Sequence, residues 1–233
     1  MKTTNIDKVR DLAITFAYLP IEPNEKIPFI VSHPFLDTSV TAIQGESGLE
    51  MINVLEGDGE DKFRASIVDR LKKIDTLTGF LLLLSKSYRF TFLDHIKSYL
   101  SDDDLGACLR YIWENSEYTN SGSVFTKKQL LSLFKRSTKE KLMDEDELPV
   151  FNDLPDRITV YRGTTSVNSK DIKVFSWTLS KKRAEWYSKR FDDSVQNVFQ
   201  AELPKDGVLA YFSADDEIVA DPFKLENIQN ISA

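Results

Sequence analysis

The hydrophobic pattern of this chain changes its period near residue 145, and this change constrains the fold more than any other feature. Before it, apolar residues such as Phe63, Ile67 and Leu71 recur at helical spacing, which is typical of an amphipathic helix. After it, short runs of β-branched and aromatic residues predominate. The pattern predicts an α+β protein with a mostly helical N-terminal region over residues 1–145 and a strand-rich domain over 146–233.

We predict helices and strands from the spacing of apolar residues, from residues that cap helix ends, and from prolines and glycines that interrupt regular structure. Before residue 145 we expect helices over 7–17, 61–74, 76–86, 90–100, 102–113 and 126–134. Prolines and glycines make residues 20–60 irregular in this prediction, with one short strand at 29–31. The acidic stretch 139–155 is predicted to be the domain boundary. Beyond it we expect one helix, 181–190, among strands at 157–161, 173–177, 197–201, 208–212 and 217–220.

Charge and metal-ligating residues narrow the function classes. The net charge of −7 disfavours general attachment to nucleic acid or anionic membrane through charge alone, although a local basic patch could still handle a nucleic acid. One cysteine, Cys108, and two histidines, His33 and His95, leave no basis for a disulfide and little for a zinc site. No secretory leader is evident, and the longest apolar run is far too short to span a bilayer. We therefore expect a cytoplasmic, metal-free protein.

Three short polar segments lie in or beside the predicted strands of the second domain. The arginine segment, 160–163, ends in Arg162 and Gly163. A guanidinium is a planar fork of donors suited to phosphate oxygens, and glycine allows a ligand to approach the backbone closely. Taken alone, Arg162 is as typical of a surface ion pair at a strand end.

The hydroxyl segment, 175–178, carries Ser176 and Thr178 on either side of Trp177. Side chains alternate along a strand, so both hydroxyls are expected on one face and the indole in the core behind it. Two hydroxyls on one face can orient a neighbouring carboxylate. A half-solvated polar strand face is the simpler alternative.

The acidic segment, 215–219, begins with Asp215 and reaches Glu217 two residues later. If it is extended, both carboxylates share one face, and their repulsion raises the pKa of one of them. A carboxylate can also stabilise the positive charge that grows on a sugar as its bond to a leaving group breaks. A solvated acidic turn is again the alternative for the segment taken alone.

The three segments in this order, with helix 181–190 between the second and third, resemble the ADP-ribosyltransferase fold of the R-S-E class over residues 154–222. Looser points of likeness extend the resemblance to the whole chain, which looks like the ADP-ribosyltransferase-like proteins of bacteriophages and prophages of low-GC bacteria. These points lie at residues 33–35, 111–114, 133–135 and 154–157. The resemblance implies an α+β protein whose second domain is a β-sandwich that binds NAD as a substrate and needs no metal.

The resemblance also implies residue roles. Arg162 would contact the phosphate and ribose of NAD, and the backbone of Gly163 would hold the nicotinamide carboxamide. Ser176 would brace the nicotinamide ribose and the catalytic acid, with Thr178 supporting the same network. Glu217 would bind the ribose hydroxyl and stabilise the oxocarbenium-like transition state.

Two further positions concern the nicotinamide and the acceptor. Tyr187, with Trp186, is a candidate to cover the nicotinamide, although a core role is equally consistent. Asp215 occupies the position at which members of this class that modify arginine usually have glutamate. Members that modify other acceptors often have glutamine there, so we expect this residue to affect which acceptor is modified. We expect transfer of ADP-ribose to a host macromolecule, a protein rather than nucleic acid, with slow NAD hydrolysis as a side activity.

Two alternatives stay open. One is a non-enzymatic binding module on the same fold, and the other is a virion-associated structural or injected protein.

Overall fold

The computed structural model describes residues 2–45, 48–116, 124–166, 168, 171–190 and 196–232. Helices and strands are mixed along the chain, so the protein is α+β. It divides into two compact units. The first holds the residues through Asp104 with Glu114–Ser116, and the second holds Leu105–Trp113 with the residues after 116. The predicted boundary near residue 145 lies inside the second unit, and the domain limits stay a prediction.

The first unit contains helices and short strands. Its helices are α1 (Ile6–Ala17), α2 (Gly59–Lys72), α3 (Leu77–Leu83) and α4 (Arg89–Ile96), and its strands are β1 (Glu22–Pro23), β2 (Ile30–His33), β3 (Leu36–Thr38), β4 (Val40–Gly45) and β5 (Gly48–Asn53). Helix α5 (Asp102–Glu114) contributes Leu105–Trp113 to the second unit.

The prediction of an irregular stretch over residues 20–60 was wrong. Strands β1 to β5 lie there, and β4 and β5 form an antiparallel hairpin with register Val40↔Asn53 to Gly45↔Gly48. The strands are brief, with one proline inside β1, others between β1 and β3, and glycines that end β4 and begin β5. In the hairpin, Gly48 has a φ of 132°, a conformation that favours glycine. The N-terminal region therefore contains short strands as well as helices.

The second unit contains the strand-rich region and three additional helices before it. These helices are α6 (Lys127–Arg136), α7 (Lys139–Leu142) and α8 (Glu147–Asp153). They are followed by β6 (Arg157–Thr164), β7 (Ser176–Thr178), α9 (Lys181–Ser188), β8 (Asn197–Pro204), β9 (Val208–Phe212), β10 (Glu217–Ala220) and β11 (Glu226–Asn230). The acidic stretch 139–155, predicted as the domain boundary, contains α7 and α8.

The predicted helices over 102–113, 126–134 and 181–190 begin at N-caps in the structure. Ser101 accepts a hydrogen bond from the Asp104 amide (3.0 Å), and Thr126 forms a capping box with Gln129. Ser180 accepts from the Arg183 amide at the start of α9. Small polar side chains at these positions satisfy amides that a helix start leaves without partners, so local sequence located the three helix starts.

Strands β6 to β11 form one antiparallel sheet in the order β11-β8-β6-β7-β10-β9. Strands β6 and β8 pair along their whole length, from Arg157↔Pro204 to Thr164↔Asn197. In contrast, β6 and β7 share the single register pair Tyr161↔Thr178. This narrow junction joins two three-stranded halves. Arg162 and Ser176 lie on the two strands that form it, and Glu217 begins β10, which pairs with β7.

No helix in the part of the chain described above has the length and apolar character needed to cross a membrane.

Candidate functional site

The arginine, hydroxyl and acidic segments meet at the narrow junction of the sheet. Arg162, on β6, donates a hydrogen bond from its guanidinium to the Ser176 carbonyl on β7 (2.7 Å). The Ser176 hydroxyl hydrogen-bonds to the carboxylate of Glu217, the first residue of β10. Pairing of β7 with β10 opposes Ser176 to Val219 and Thr178 to Glu217. Strand pairing thus brings together three residues that lie up to 55 positions apart in the chain.

Glu217 is a half-buried residue whose carboxylate has two side-chain donors. One is the Ser176 hydroxyl, and the other is the indole N–H of Trp113, whose Nε1 lies 3.2 Å from Oε1. Burial raises the pKa of Glu217, and the charge of Asp215 adds to the increase. The two hydrogen bonds and the Arg162 charge oppose burial but do not cancel it, so the pKa is above the ordinary glutamate value.

Arg162 is a buried cation, with 8% of its surface exposed. Burial lowers its pKa to about 10, against the opposing effect of the negative charges of Glu217 and Asp171. The guanidinium therefore stays protonated at neutral pH. Its Nε has no hydrogen-bond partner among the described residues. A buried donor without an acceptor is costly, and an anionic ligand is one group that could satisfy it.

Thr178 acts on the backbone around the acidic segment rather than on the Glu217 carboxylate. Its hydroxyl donates to the Asp215 carbonyl (2.8 Å) and accepts from the Ser180 amide (3.1 Å). It therefore ties the turn before β10 to the start of α9. Any support that Thr178 gives to Glu217 is indirect.

We expected Asp215 and Glu217 to share one face if the acidic segment was extended. The structure shows that the two residues do not belong to one extended segment. Residues Ser213–Asp215 form a helical turn, and Asp216 has a φ of 48° in the left-handed region. Aspartate is among the residues that tolerate this conformation. The chain becomes extended only at Glu217, and this separates the surroundings of the two carboxylates.

Both carboxylate oxygens of Asp215 have partners from α9. The Tyr187 hydroxyl donates to Oδ2 (2.6 Å), and the Arg183 Nε lies 3.2 Å from Oδ1. Burial and the Asp215 charge raise the pKa of Tyr187, so its phenol stays protonated as the donor. Arg183 also donates to the Ala214 carbonyl (3.1 Å). Nothing in the local sequence separates Arg183 from the two lysines that precede it.

Glu147 stabilises the turn before β10 by accepting hydrogen bonds, a role that was not predicted from the sequence. Glu147 is 1% exposed, and its Oε1 accepts from the amide (2.8 Å) and the hydroxyl (3.1 Å) of Ser213. It also accepts from Arg110 and from the Asp144 amide (2.9 Å). Burial alone would raise the pKa of Glu147, but these donors outweigh it and lower the pKa. No local pattern separates Glu147 from its acidic neighbours.

The structure explains the glycine at position 163 by the packing of a helix, whereas the sequence suggested the close approach of a ligand. A Cβ at this position would lie 2.0 Å from the Ala184 carbonyl oxygen and 2.6 Å from the Ser188 amide nitrogen. Glycine therefore allows α9 to pack directly on β6. The implied contact of its backbone with a carboxamide stays a prediction.

Trp186 and Tyr187, the candidates for covering a nicotinamide, have different surroundings. Trp186 is 55% exposed, which excludes a core role for it, while Tyr187 is engaged with Asp215. Within the described ranges, no group of three or more histidine, cysteine or acidic side chains is arranged to hold a metal ion.

Scans of the chain against protein-family models, curated proteins and solved structures found no match.

Proposed function

We propose that this protein is an NAD-dependent mono-ADP-ribosyltransferase. The observation that carries the proposal is the convergence of Arg162, Ser176 and Glu217, a buried guanidinium and a half-buried carboxylate linked through one serine. This is the combination needed to hold a pyrophosphate beside a sugar that acquires positive charge. We also propose that the sheet, with its narrow β6–β7 junction, is the split β-sandwich of the ADP-ribosyltransferase fold.

In this proposal Arg162 binds the NAD phosphate through its guanidinium, whose Nε has no hydrogen-bond partner among the residues that the structure describes. Glu217 accepts the hydrogen bond of a ribose hydroxyl, and its negative charge stabilises the oxocarbenium-like sugar. The bond between ribose C1′ and the nicotinamide nitrogen breaks, and its electron pair leaves with nicotinamide. A lone pair of the acceptor then forms the new bond to C1′, and the acceptor's proton is released to solvent.

Glu217 must be ionised for this role. Because burial raises its pKa, the acid limb of the pH–rate profile should lie above the ordinary value of 4.5 for glutamate. Activity should therefore fall as the pH is lowered through the raised pKa. Gly163 and Tyr187 keep the binding roles that the resemblance implies, and NAD is consumed as a substrate with no metal.

Asp215 is assigned to the acceptor rather than to NAD cleavage. Its oxygens are held by Tyr187 and Arg183, outside the hydrogen-bond network of Glu217. Aspartate is also one methylene shorter than the glutamate of arginine-modifying enzymes. We propose a host protein as acceptor, a phage or prophage origin for the chain, and action in the bacterial cytoplasm after expression or injection. Water would replace the acceptor slowly.

The test is transfer of label from NAD that is radiolabelled in its adenylate phosphate into a bacterial lysate. We expect label in macromolecules that protease, but not nuclease, releases. Nuclease-sensitive label would replace the protein acceptor by a nucleic acid. The absence of label at any macromolecule, with Asp215→Glu tested in parallel, would contradict transferase activity.

A further inference from the structure

We propose that Trp113 is a positioning residue for Glu217: its indole N–H holds one carboxylate oxygen in the orientation needed for cleavage of NAD. The catalytic part of this inference rests on the proposed function. Trp113 lies on α5, in the stretch of sequence where no catalytic residue was expected.

The indole is held rigidly. Trp113 is 3% exposed, and its ring packs edge-on against Phe134 (centroids 5.3 Å apart, 83° between planes) and Phe175 (6.3 Å, 77°). Aromatic edge contacts of this kind restrict ring rotation. The direction of the N–H is therefore set by the hydrophobic core and not by the carboxylate.

The two donors on Glu217 come from different elements. Trp113 Nε1 lies 3.2 Å from Oε1 and approaches from α5, while Ser176 approaches from the neighbouring strand β7. A carboxylate rotates about its last side-chain bond with little restriction unless its oxygens are held. Two donors from fixed elements remove that freedom, and an oriented acid is what a charge-stabilising role requires.

The hydrogen bond also bears on ionisation. Burial disfavours the charged form of Glu217, and a donor in a region of low dielectric constant favours it. The Trp113 bond lowers the pKa of Glu217 and so limits the increase that burial causes. Loss of the N–H should therefore raise that pKa further.

Trp177 provides a matched comparison in the same unit. It is also a buried tryptophan, but its Nε1 donates to the backbone carbonyl of Val174 (3.0 Å). Trp177→Phe removes a buried indole hydrogen bond without touching Glu217. Differences between Trp113→Phe and Trp177→Phe thus separate positioning of the acid from a general loss of packing.

The first experiment needs no enzymatic activity. The chain has three tryptophans, so ¹H–¹⁵N spectra of ¹⁵N-labelled protein should contain three indole N–H signals, assigned with Trp177→Phe and Trp186→Phe. We expect the Trp113 signal to shift in Glu217→Gln while the other two stay unchanged. An unchanged Trp113 signal in Glu217→Gln would overturn the inference, and this result does not depend on whether Trp113→Phe folds.

The second experiment measures the pH dependence of nicotinamide release. Trp113→Phe should move the acid limb upward by about one pH unit, as expected for loss of one hydrogen bond to a charged group. Trp177→Phe should leave the acid limb in place even if it lowers stability. An unmoved limb in Trp113→Phe would overturn the positioning role. If the wild type releases no nicotinamide at any pH, the proposed function fails, while the indole spectra still report whether Trp113 and Glu217 are coupled.

Discussion

Replacement of Gly163 by alanine tests how closely helix α9 must pack on strand β6 for the site to form. The added Cβ would meet two backbone atoms, the Ala184 carbonyl oxygen at 2.0 Å and the Ser188 amide nitrogen at 2.6 Å. Real Cβ atoms essentially never approach closer than 3.0 Å. Both are backbone atoms that cannot move by changing a rotamer, so the helix must retreat from the strand by about 1 Å for the Ala184 contact merely to reach that 3.0 Å limit.

The expected cost follows from this displacement. Overpacking of a well-packed interior costs about 1–3 kcal/mol, and a clash with backbone belongs at the upper end of that range. The lower entropy of the unfolded chain with alanine returns about 0.4–1 kcal/mol. The net loss should be about 2 kcal/mol, which lowers the Tm of a chain of this size by about 4–8 °C.

The assay is urea denaturation together with a thermal scan, and Gly45→Ala is the matched control. Gly45 also lies in an antiparallel strand, but its Cβ would meet its nearest neighbours, Glu50 Oε2 and the Gly48 carbonyl, at 3.3 Å. We expect the control to change the free energy of unfolding by less than about 1 kcal/mol. Because α9 carries Arg183 and Tyr187, Gly163→Ala should also alter transfer to the acceptor. Equal stability of the two variants would refute the packing argument.

Two further predictions concern the acidic turn. Glu147→Gln should lower the free energy of unfolding at pH 7 by about 2 kcal/mol, since the Ser213 and Arg110 donors lose a charged acceptor. The folded-state pKa of Glu147 is below its ordinary value, so the stabilisation is present at neutral pH and is lost as the pH falls through the folded pKa. In urea titrations, the difference in free energy of unfolding between variant and wild type should therefore be smaller at acid pH than at pH 7. Tyr187→Phe removes one of the donors to Asp215 and should change transfer of labelled ADP-ribose more than nicotinamide release; equal effects on both would contradict the separate roles of Asp215 and Glu217.

Local sequence patterns predicted the parts of the fold that depend on local physics. The strands of the second unit follow from β-branched and aromatic runs, and β6, β8, β9 and β10 begin where those runs begin. Helix starts at Ser101, Thr126 and Ser180 follow from capping. Strand β7 begins later than the run that predicted it, at Ser176, and β11 was not anticipated.

The same reasoning failed where structure depends on distant partners. The short strands over residues 20–60 are paired with one another, and pairing is invisible to a period measured within each run. The acidic stretch 139–155 was predicted to be the domain boundary because nothing local shows that Glu147 accepts hydrogen bonds from Arg110 and Ser213.

The residues of the candidate site also divide into those that local sequence identifies and those that depend on distant partners. Arg162, Ser176 and Glu217 could be selected because each stands in a strand-like run and their order is informative together. Trp113 lies in the stretch 111–114 that looked like the family, but no role followed from that likeness, since it lies 104 positions before Glu217 on a helix whose apolar face explains a tryptophan without any site. Residues that hold a site in place are chosen by three-dimensional packing, and a single sequence carries no direct signal of it.

Release of nicotinamide from NAD by the purified protein tests the central claim most directly. The wild type should release nicotinamide, and Glu217→Gln should reduce the rate by at least about a hundredfold, as expected for loss of a charge that stabilises the transition state. Glu202→Gln, which removes a carboxylate paired with Arg157 elsewhere on the sheet, should leave the rate unchanged. NAD binding without release, even with bacterial lysate as acceptor, would contradict the enzymatic account and favour a binding module, and equal rates for wild type and Glu217→Gln would contradict the role of Glu217.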